Sequence, residues 1–247
     1  NLTLDQFSDP RVREALSLAI DRKYMSETLT QGVYSPATHF VSAGIVDWDN
    51  SPFMNNANGG KPYIDVDNYE ANLERAKQLL AEAGYPNGEG FPTITYSTNE
   101  AGYHLVFAQY IQQAWKQLGI NVNVDKVEWA SFLPQRRAGD YQISRNGWVC
   151  DYNDPSNILE LFYSTNGNND GKYNNPAFDE AMNKAANETD PKKRFEYLHE
   201  AEDIMMKDFA CIPVAFYNDF YLMSTKVKGA WHSPYGFWYF QYADIED

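Results

Sequence analysis

The sequence has few basic side chains and no long apolar run. Twenty Lys and Arg stand against 34 Asp and Glu, which gives a formal net charge of −14. We expect no nucleic-acid partner, because such partners are bound through clustered basic side chains. The same charge repels an anionic membrane surface. No stretch approaches the ~20 apolar residues of a membrane-spanning helix.

The sequence signatures of common enzyme classes are also missing. There is no phosphate-binding loop, no G-x-S-x-G, no H-E-x-x-H and no G-x-G-x-x-G. The spacing of the four histidines suits no metal site: His39, His104, His199 and His232. The sequence therefore predicts no metal, no cofactor and no enzyme activity. A hydrolase with paired carboxylates stays open as an alternative, because the chain has 34 acidic residues.

Cysteine is scarce, with Cys150 and Cys211 as the two examples. They permit one disulfide or two free buried thiols, and the sequence leaves both open. No signal sequence or lipid-attachment motif is visible in these residues. The start at Asn1, close to a helix signal, is typical of a processed protein or a piece of a longer one.

Residue patterns predict alternating helices and strands. Helices are expected from Pro10 to a stop at Gly32, then over 68–83, 101–118, 129–137, 176–187 and 191–207. Strands are expected over 93–98, 120–127, 141–144 and 211–217, with another through Leu222. Residues 33–66 lack periodicity and are expected to form a long loop, either functional or lying over another domain. The alternation over 93–144 favours a parallel sheet flanked by helices, with a site just after Ser144.

The segment 144–155, SRNGWVCDYNDP, is chemically the most unusual part of the chain. It combines a cation, a glycine, two large aromatics and two carboxylates: Arg145, Gly147, Trp148, Tyr152, Asp151 and Asp154. One interpretation is a strand end and turn whose charges are solvated. The other is a site for a zwitterion, in which Asp151 takes an ammonium, Arg145 takes a carboxylate, and Gly147 offers backbone hydrogen bonds.

A family resemblance favours the second interpretation. RNGWVCDYNDP resembles the corresponding segment of the oligopeptide-binding proteins of ABC importers, which are extracytoplasmic solute-binding proteins of family 5. Four further segments agree with that family in order and spacing: DPRVREALSLAIDR, AKQLLAEAGYPNGEGFP, WKQLGINVNV and YNNPAFDEAMNKA. The resemblance spans essentially the whole chain, and it covers the carboxyl-terminal half of such a protein.

The resemblance implies an α/β fold of the type II periplasmic-binding class, in which two lobes close over a ligand. Residues 1–217 would form the second lobe, and residues 218–247 a tail that returns to an absent first lobe. That tail contains seven aromatics within 12 residues: Trp231, Tyr235, Phe237, Trp238, Tyr239, Phe240 and Tyr242. We expect these rings to be exposed when the first lobe is absent, and the chain to self-associate through them.

Site residues follow from the resemblance position by position. Asp151 would pair with the α-ammonium of a peptide, and Arg145 and His104 with its carboxylate. Arg136 would meet the far end of the peptide, Gly147 would supply main-chain hydrogen bonds, and Trp148 and Tyr152 would wall side-chain pockets. Some family members have a cysteine directly after the tryptophan, whereas here Cys150 is the second residue after it. A disulfide between Cys150 and Cys211 is therefore the local alternative to a bond with the first lobe.

The predicted function is that of a receptor, not an enzyme. It would bind oligopeptides outside the cytoplasm, in the periplasm or anchored at the cell surface, and its partners would be the permease subunits of an ABC transporter and its own first lobe. Three alternatives remain: a member of the same family that binds a sugar, nickel or another solute, an acid-rich hydrolase, and a sensor or adhesin built on the same lobe.

Overall fold

The computed structural model describes residues 1–233 and 236–246. Its α-helices are α1 Pro10–Leu18, α2 Arg22–Tyr24, α3 Tyr69–Glu82, α4 His104–Lys116, α5 Trp129–Ala138, α6 Ser156–Leu159, α7 Pro176–Asn187 and α8 Pro191–Lys207. Its strands are β1 Tyr34–Pro36, β2 Ile94–Thr98, β3 Val122–Lys126, β4 Ile143–Ser144, β5 Ala215–Tyr217, β6 Val227–Lys228, β7 Trp231–His232, β8 Trp238–Tyr239 and β9 Asp244–Ile245. Short 3₁₀ turns occur at Asp5–Phe7, Phe53–Asn55, Ala57–Gly60, Pro86–Gly88 and Glu160–Phe162, and a π-helical turn at Met25–Leu29. None of the helices in this described part combines the length and apolarity that a membrane crossing needs.

The first helix begins as predicted but ends earlier. The Asp9 side chain accepts a hydrogen bond from the Arg11 amide at 2.8 Å, which caps α1. The helix stops at Leu18 rather than Gly32, and a short second helix follows. The buried Arg22 guanidinium closes the break, because it donates to the carbonyl oxygen of Ser17 at 2.9 Å. A side chain thus replaces the backbone amide that a continuous helix would have supplied.

Residues 33–66, predicted as a long loop, pack as an arm against α7 and α8. The arm contains β1 and two 3₁₀ turns, and five of its apolar side chains are buried in the core beside those helices: Val41, Ile45, Phe53, Ala57 and Ile64. Glu202 of α8 fastens it, because its Oε1 accepts hydrogen bonds from the amides of Phe40 at 3.0 Å and Val41 at 2.8 Å. The arm is therefore a packed part of this chain.

The predicted parallel sheet is confirmed. β2 lies between β3 and β4 and runs parallel to both, and Tyr96 pairs with Val124 on one side and Ile143 on the other. The Arg145 amide donates to the Ser97 carbonyl at 3.0 Å and extends the ladder beyond β4. The residue after β4 is therefore held in the sheet, which places the start of segment 144–155 at the carboxyl edge.

The strand predicted over 211–217 forms only at β5, and it pairs antiparallel with β1, Tyr34 opposite Tyr217. Pro213 interrupts it, because proline has no amide hydrogen to donate and its carbonyl is taken by Arg22 at 2.8 Å. The strand predicted through Leu222 is wrong: residues 218–224 contain no strand.

Two hydrophobic cores hold these elements together. The first joins α1, α3 and α4 to the sheet, and the second joins α7, α8 and the arm. Trp115 of α4 is 1% exposed in the first core, and its indole N–H donates to the Leu16 carbonyl at 2.8 Å. The helices predicted over 176–187 and 191–207 have these same bounds, because Asn175 and Asp190 cap them and proline follows each cap.

The end of the chain, residues 218–246, forms two small ladders, β6 with β9 and β7 with β8. Its large apolar side chains are exposed in a continuous stretch at 220–223 and again at Trp231, Phe237, Tyr239, Phe240 and Tyr242. Tyr235, predicted as part of the same aromatic group, lies outside the described residues, as does Asp247. This part of the chain therefore presents an apolar surface to solvent.

Candidate ligand-binding site

A cavity of about 490 Å³ is bordered by residues of both cores. Two continuous segments line it, residues 143–150 and 209–217, and one face of α4 forms a further wall through His104, Phe107, Ile111 and Trp115. Five predicted site residues lie along it: His104, Arg136, Arg145, Gly147 and Trp148. Asp151 and Tyr152 do not line this cavity, and both are exposed.

Arg145 carries a positive charge that no carboxylate neutralises within the described residues. Its guanidinium Nη2 donates to the Tyr217 hydroxyl at 2.8 Å, and its Nε is buried without a hydrogen-bond partner. The side chain is partly buried and lines the cavity together with Gly147 and His104 of α4. A cation removed from water without a counter-ion is unfavourable, so the site attracts an anion.

His104 begins α4 beside that guanidinium. Its Nδ1 lies 3.0 Å from Asn99 Oδ1. Burial, and then the positive charge of Arg145, lower the pKa of His104 to about 4. At neutral pH the ring is therefore uncharged, and with Nδ1–H donated to Asn99 its Nε2 is an acceptor. It becomes a carboxylate partner only when it binds a second proton.

Arg136, by contrast, is already paired. Its Nε lies 2.8 Å from Asp170 Oδ2, and both side chains are nearly buried, with exposures of 11% and 6%. The Asn146 amide donates to the same oxygen at 3.2 Å. Asp170 belongs to a stretch, Asn166 to Gly171, that imitates a calcium loop in sequence, and here it anchors the segment that carries Arg145. Arg136 as a ligand contact therefore stays a prediction, and in the structure its charge serves the fold.

Gly147 has no room for a side chain. A Cβ atom at this position would lie 2.6 Å from the Tyr217 hydroxyl oxygen and 3.2 Å from Arg145 Nη2. Its amide N–H, expected to bond a peptide, donates to Asn146 Oδ1 at 2.8 Å. The absence of a side chain at Gly147 thus allows Tyr217 and Arg145 to come close enough for their hydrogen bond.

Asn157 orders the middle of the segment. It is 2% exposed, and its Oδ1 accepts hydrogen bonds from Trp148 Nε1 at 3.0 Å and from the Asp151 amide at 3.3 Å. The Asp151 carboxylate is exposed on the surface, as is Tyr152 at 47%. Asp151, the predicted ammonium partner, is therefore open to solvent, and its backbone is held by the hydrogen bond to Asn157.

The end of the segment is anchored by Asp154. This carboxylate accepts two hydrogen bonds from Arg194 of α8, at 2.7 and 2.9 Å. Its pKa is lowered because these bonds and those from Ser156 outweigh the effect of burial, which is the largest single influence and acts to raise it. Asn153 Oδ1 accepts from the Val46 amide of the arm at 2.9 Å. Asp154 thus stabilises the fold and is not free for a ligand.

Cys150 and Cys211 both line the cavity as free thiols. Burial raises the pKa of Cys150 to about 11 and that of Cys211 to about 12. The structure does not contain the disulfide that the sequence left open between them. Among the described residues, no group of three or more His, Cys, Asp and Glu side chains is placed to hold a metal.

Sequence reasoning missed Tyr217 and Asn157. The apolar strand that ends at Tyr217 was visible, but its pairing with β1, which brings the ring to Arg145, was not. Asn157 lies six residues after Asp151, in a helix that begins at Ser156. A polar residue on the buried side of that short helix was the available signal.

Residues 1–170 match the bacterial extracellular solute-binding proteins, family 5 Middle. The oligopeptide-binding protein OppA of Bacillus subtilis (strain 168) is 36% identical over 220 residues, which are 88% of this chain and 39% of OppA. The dipeptide-binding protein DppE of the same organism is 33% identical over 247 residues, 99% of this chain and 44% of DppE. A crystal structure of a periplasmic oligopeptide-binding protein from Borrelia burgdorferi superimposes with a TM-score of 0.75 at 33% identity, covering 87% of this chain and 41% of that one.

These relatives are binding proteins, and the chain spans about two fifths of their length. The structural similarity confirms the predicted α/β fold of a periplasmic binding protein, present here in part. The resemblance noted in the sequence, the segment after β4 and the match over residues 1–170 lead to one assignment. The chain belongs to the bacterial extracellular solute-binding proteins of family 5.

Proposed function

We propose that this chain is the second lobe of an extracytoplasmic receptor that binds oligopeptides and delivers them to the permease subunits of an ABC importer. One observation carries the proposal: the partly buried Arg145 guanidinium at the cavity has no carboxylate partner among the described residues. A charge-assisted hydrogen bond to a ligand carboxylate supplies the missing counter-ion. Arg145 is thus assigned the carboxylate end of the peptide.

His104 makes this contact dependent on protons. An anion between Arg145 and His104 favours the charged imidazole, so it raises the histidine pKa above its unliganded value of about 4. The complex then holds more protons than the free protein. Affinity for a free carboxylate therefore strengthens as the pH falls toward that value, down to where the carboxylate itself is protonated.

Asp151 is assigned the peptide ammonium. Its carboxylate is exposed, and its backbone is held by the buried Asn157. Trp148, whose indole N–H donates to the side-chain oxygen of Asn157, borders the cavity. Tyr152 offers an exposed ring next to Asp151. Terminal and main-chain contacts are common to all peptides, so this arrangement favours low sequence selectivity.

The proposal includes the rest of the receptor. Residues 1–217 form the second lobe, and residues 218–247 a tail that packs against a first lobe outside this sequence. Support comes from the relatives, which are more than twice as long, and from the exposed apolar side chains of the tail. The ligand is then enclosed between the lobes outside the cytoplasm and passed on unchanged.

Calorimetry on the full-length protein tests the assignment of Arg145. Arg145→Gln is expected to weaken a peptide with a free carboxylate roughly tenfold or more, and an amidated peptide much less. Arg137→Gln, at an exposed position on α5 that does not line the cavity, is the matched control and leaves both affinities unchanged. Equal losses for the two peptides would remove Arg145 from the carboxylate role.

The ammonium end has its own test. Asp151→Asn is expected to weaken binding of a free peptide and to spare binding of its N-acetylated form, since only the free form carries the ammonium charge.

Mass spectrometry of the peptide recovered after binding separates a receptor from a hydrolase. A receptor returns the peptide intact, and a cleaved peptide contradicts the transport proposal.

A further inference from the structure

Tyr217 is the hydrogen-bond partner of the Arg145 guanidinium within the described residues. The Nη2 of Arg145 donates to the Tyr217 hydroxyl oxygen at 2.8 Å, while Nε has no partner. The two residues are 72 positions apart in the chain. Their contact joins the segment after β4 to the end of β5, and both residues line the cavity.

The ring of Tyr217 is itself held in place. The β1–β5 ladder sets it opposite Tyr34, and the two rings meet edge to face with centroids 5.2 Å apart. Tyr34 packs in the same way against Tyr103 and Phe107, at 5.7 and 5.6 Å. Such aromatic pairs are directional, so the cluster determines where the Tyr217 hydroxyl lies.

Gly147 supplies the space for that hydroxyl. The nearest atoms to a Cβ at position 147 are Tyr217 Oη at 2.6 Å, Arg145 Nη2 at 3.2 Å and Tyr217 Cε2 at 3.3 Å. All three belong to the pair that Gly147 borders. A side chain at 147 and a hydroxyl at 217 therefore compete for one volume.

We propose that Tyr217 is the positioning residue of Arg145: its hydroxyl holds the guanidinium at the wall of the cavity beside His104, and Gly147 leaves the space that the hydroxyl occupies. The positioning of Arg145 is independent of any ligand. Its consequence for affinity rests on the proposed function, in which Arg145 binds a carboxylate.

The positioning is tested without a ligand by NMR titration of His104 in the present chain, with the resonance assigned from a His104→Gln sample. Burial chiefly, and then the charge of Arg145, lower the pKa of His104. Tyr217→Phe keeps the ring and removes the hydroxyl, so the guanidinium is released and its effect on the imidazole weakens. The pKa of His104 is then expected to rise above about 4 and to stay below 6.5, because the larger effect of burial remains. Tyr242→Phe, on an 80% exposed ring, is the control and changes nothing.

Gly147→Ala is expected to raise the same pKa, because the new methyl group displaces the hydroxyl. In the Tyr217→Phe background the alanine is expected to add little, since the hydroxyl is already gone. Circular dichroism establishes that each variant is folded. A folded Tyr217→Phe protein with an unchanged His104 pKa overturns the proposal, and so do fully additive effects of the two substitutions.

In the full-length protein, Tyr217→Phe is expected to weaken a peptide with a free carboxylate by roughly threefold to tenfold and to spare its amidated form. If Arg145→Gln has no effect on peptides while Tyr217→Phe still shifts the His104 pKa, the proposed function fails and the positioning role stands. If Arg145→Gln weakens binding and the pKa does not move, the positioning role fails alone.

Discussion

The burial of Glu202 is expected to make the free energy of unfolding depend on pH in an unusual direction. It is fully buried in the second core, where burial chiefly, and then Asp203, raise its pKa from 4.5 to about 7 against the hydrogen bonds from Val41 and Phe40. Because the folded-state pKa lies above the unfolded one, the folded protein holds more protons between these values. Glu202 therefore contributes stability that is fully present below pH 4.5 and is lost as the pH rises through about 7.

The size of this effect follows from the two pKa values. A rise from 4.5 to about 7, at about 1.4 kcal/mol for each pH unit, corresponds to at most about 3 kcal/mol. Glu202→Gln keeps an oxygen acceptor for the amides of Phe40 and Val41 and removes the charge. The variant is expected to be more stable than the wild type at pH 8, by up to about 3 kcal/mol, and to lose that advantage at pH 4.

Urea unfolding followed by circular dichroism at several pH values measures this difference. Titrating groups that do not interact with Glu202 affect both proteins equally, so their effects cancel when the two curves are subtracted. Glu200→Gln, at an exposed position on the same helix, is the control and is expected to show no such trend. A difference between Glu202→Gln and wild type that stays constant from pH 4 to pH 8 would refute the reasoning.

Three further predictions concern the core, the anchored segment and the tail. Leu198→Ala, at a position with 0% exposure, is expected to lower the free energy of unfolding by about 2–5 kcal/mol. Leu222→Ala, at a fully exposed position, is expected to change it by less than about 0.5 kcal/mol. Equal effects of the two substitutions in urea unfolding would contradict the burial of Leu198. Asp154→Asn weakens the pair with Arg194 and is expected to cost about 1–2 kcal/mol, and an unchanged unfolding midpoint would show the pair to be unimportant. The present chain is expected to self-associate through the exposed side chains of 218–246, so a monomer mass by light scattering at high concentration argues against it.

Helices with a cap and a following proline could be located from the sequence, because a local hydrogen bond defines where they begin. Asp190 and Pro191 place α8 at its observed start. The end of α1 could not be foreseen. It depends on the Arg22 guanidinium, which donates back to the Ser17 carbonyl of the preceding helix and forward in sequence to the Pro213 carbonyl.

The candidate site was predictable as a set of residue types and less so as a set of roles. Arg145 and His104 lie together as expected. The partner of Arg136 could not be read from the sequence, because Asp170 lies 34 residues further along in a loop without periodicity. The role of Tyr217 depends on the pairing of β5 with β1, which brings together residues that are distant in the sequence.

The attachment of segment 144–155 has a consequence for ligand exchange in the proposed receptor. Asn146, Asn153 and Asp154 bind it to Asp170, to the arm and to α8, and Asn157 of α6 holds its middle. Fixing one residue of a flexible backbone costs about 1–2 kcal/mol of conformational entropy, and folding has already met that cost here. In the proposed receptor, a ligand that binds to this segment therefore loses little affinity to ordering of the backbone, and it dissociates without local unfolding.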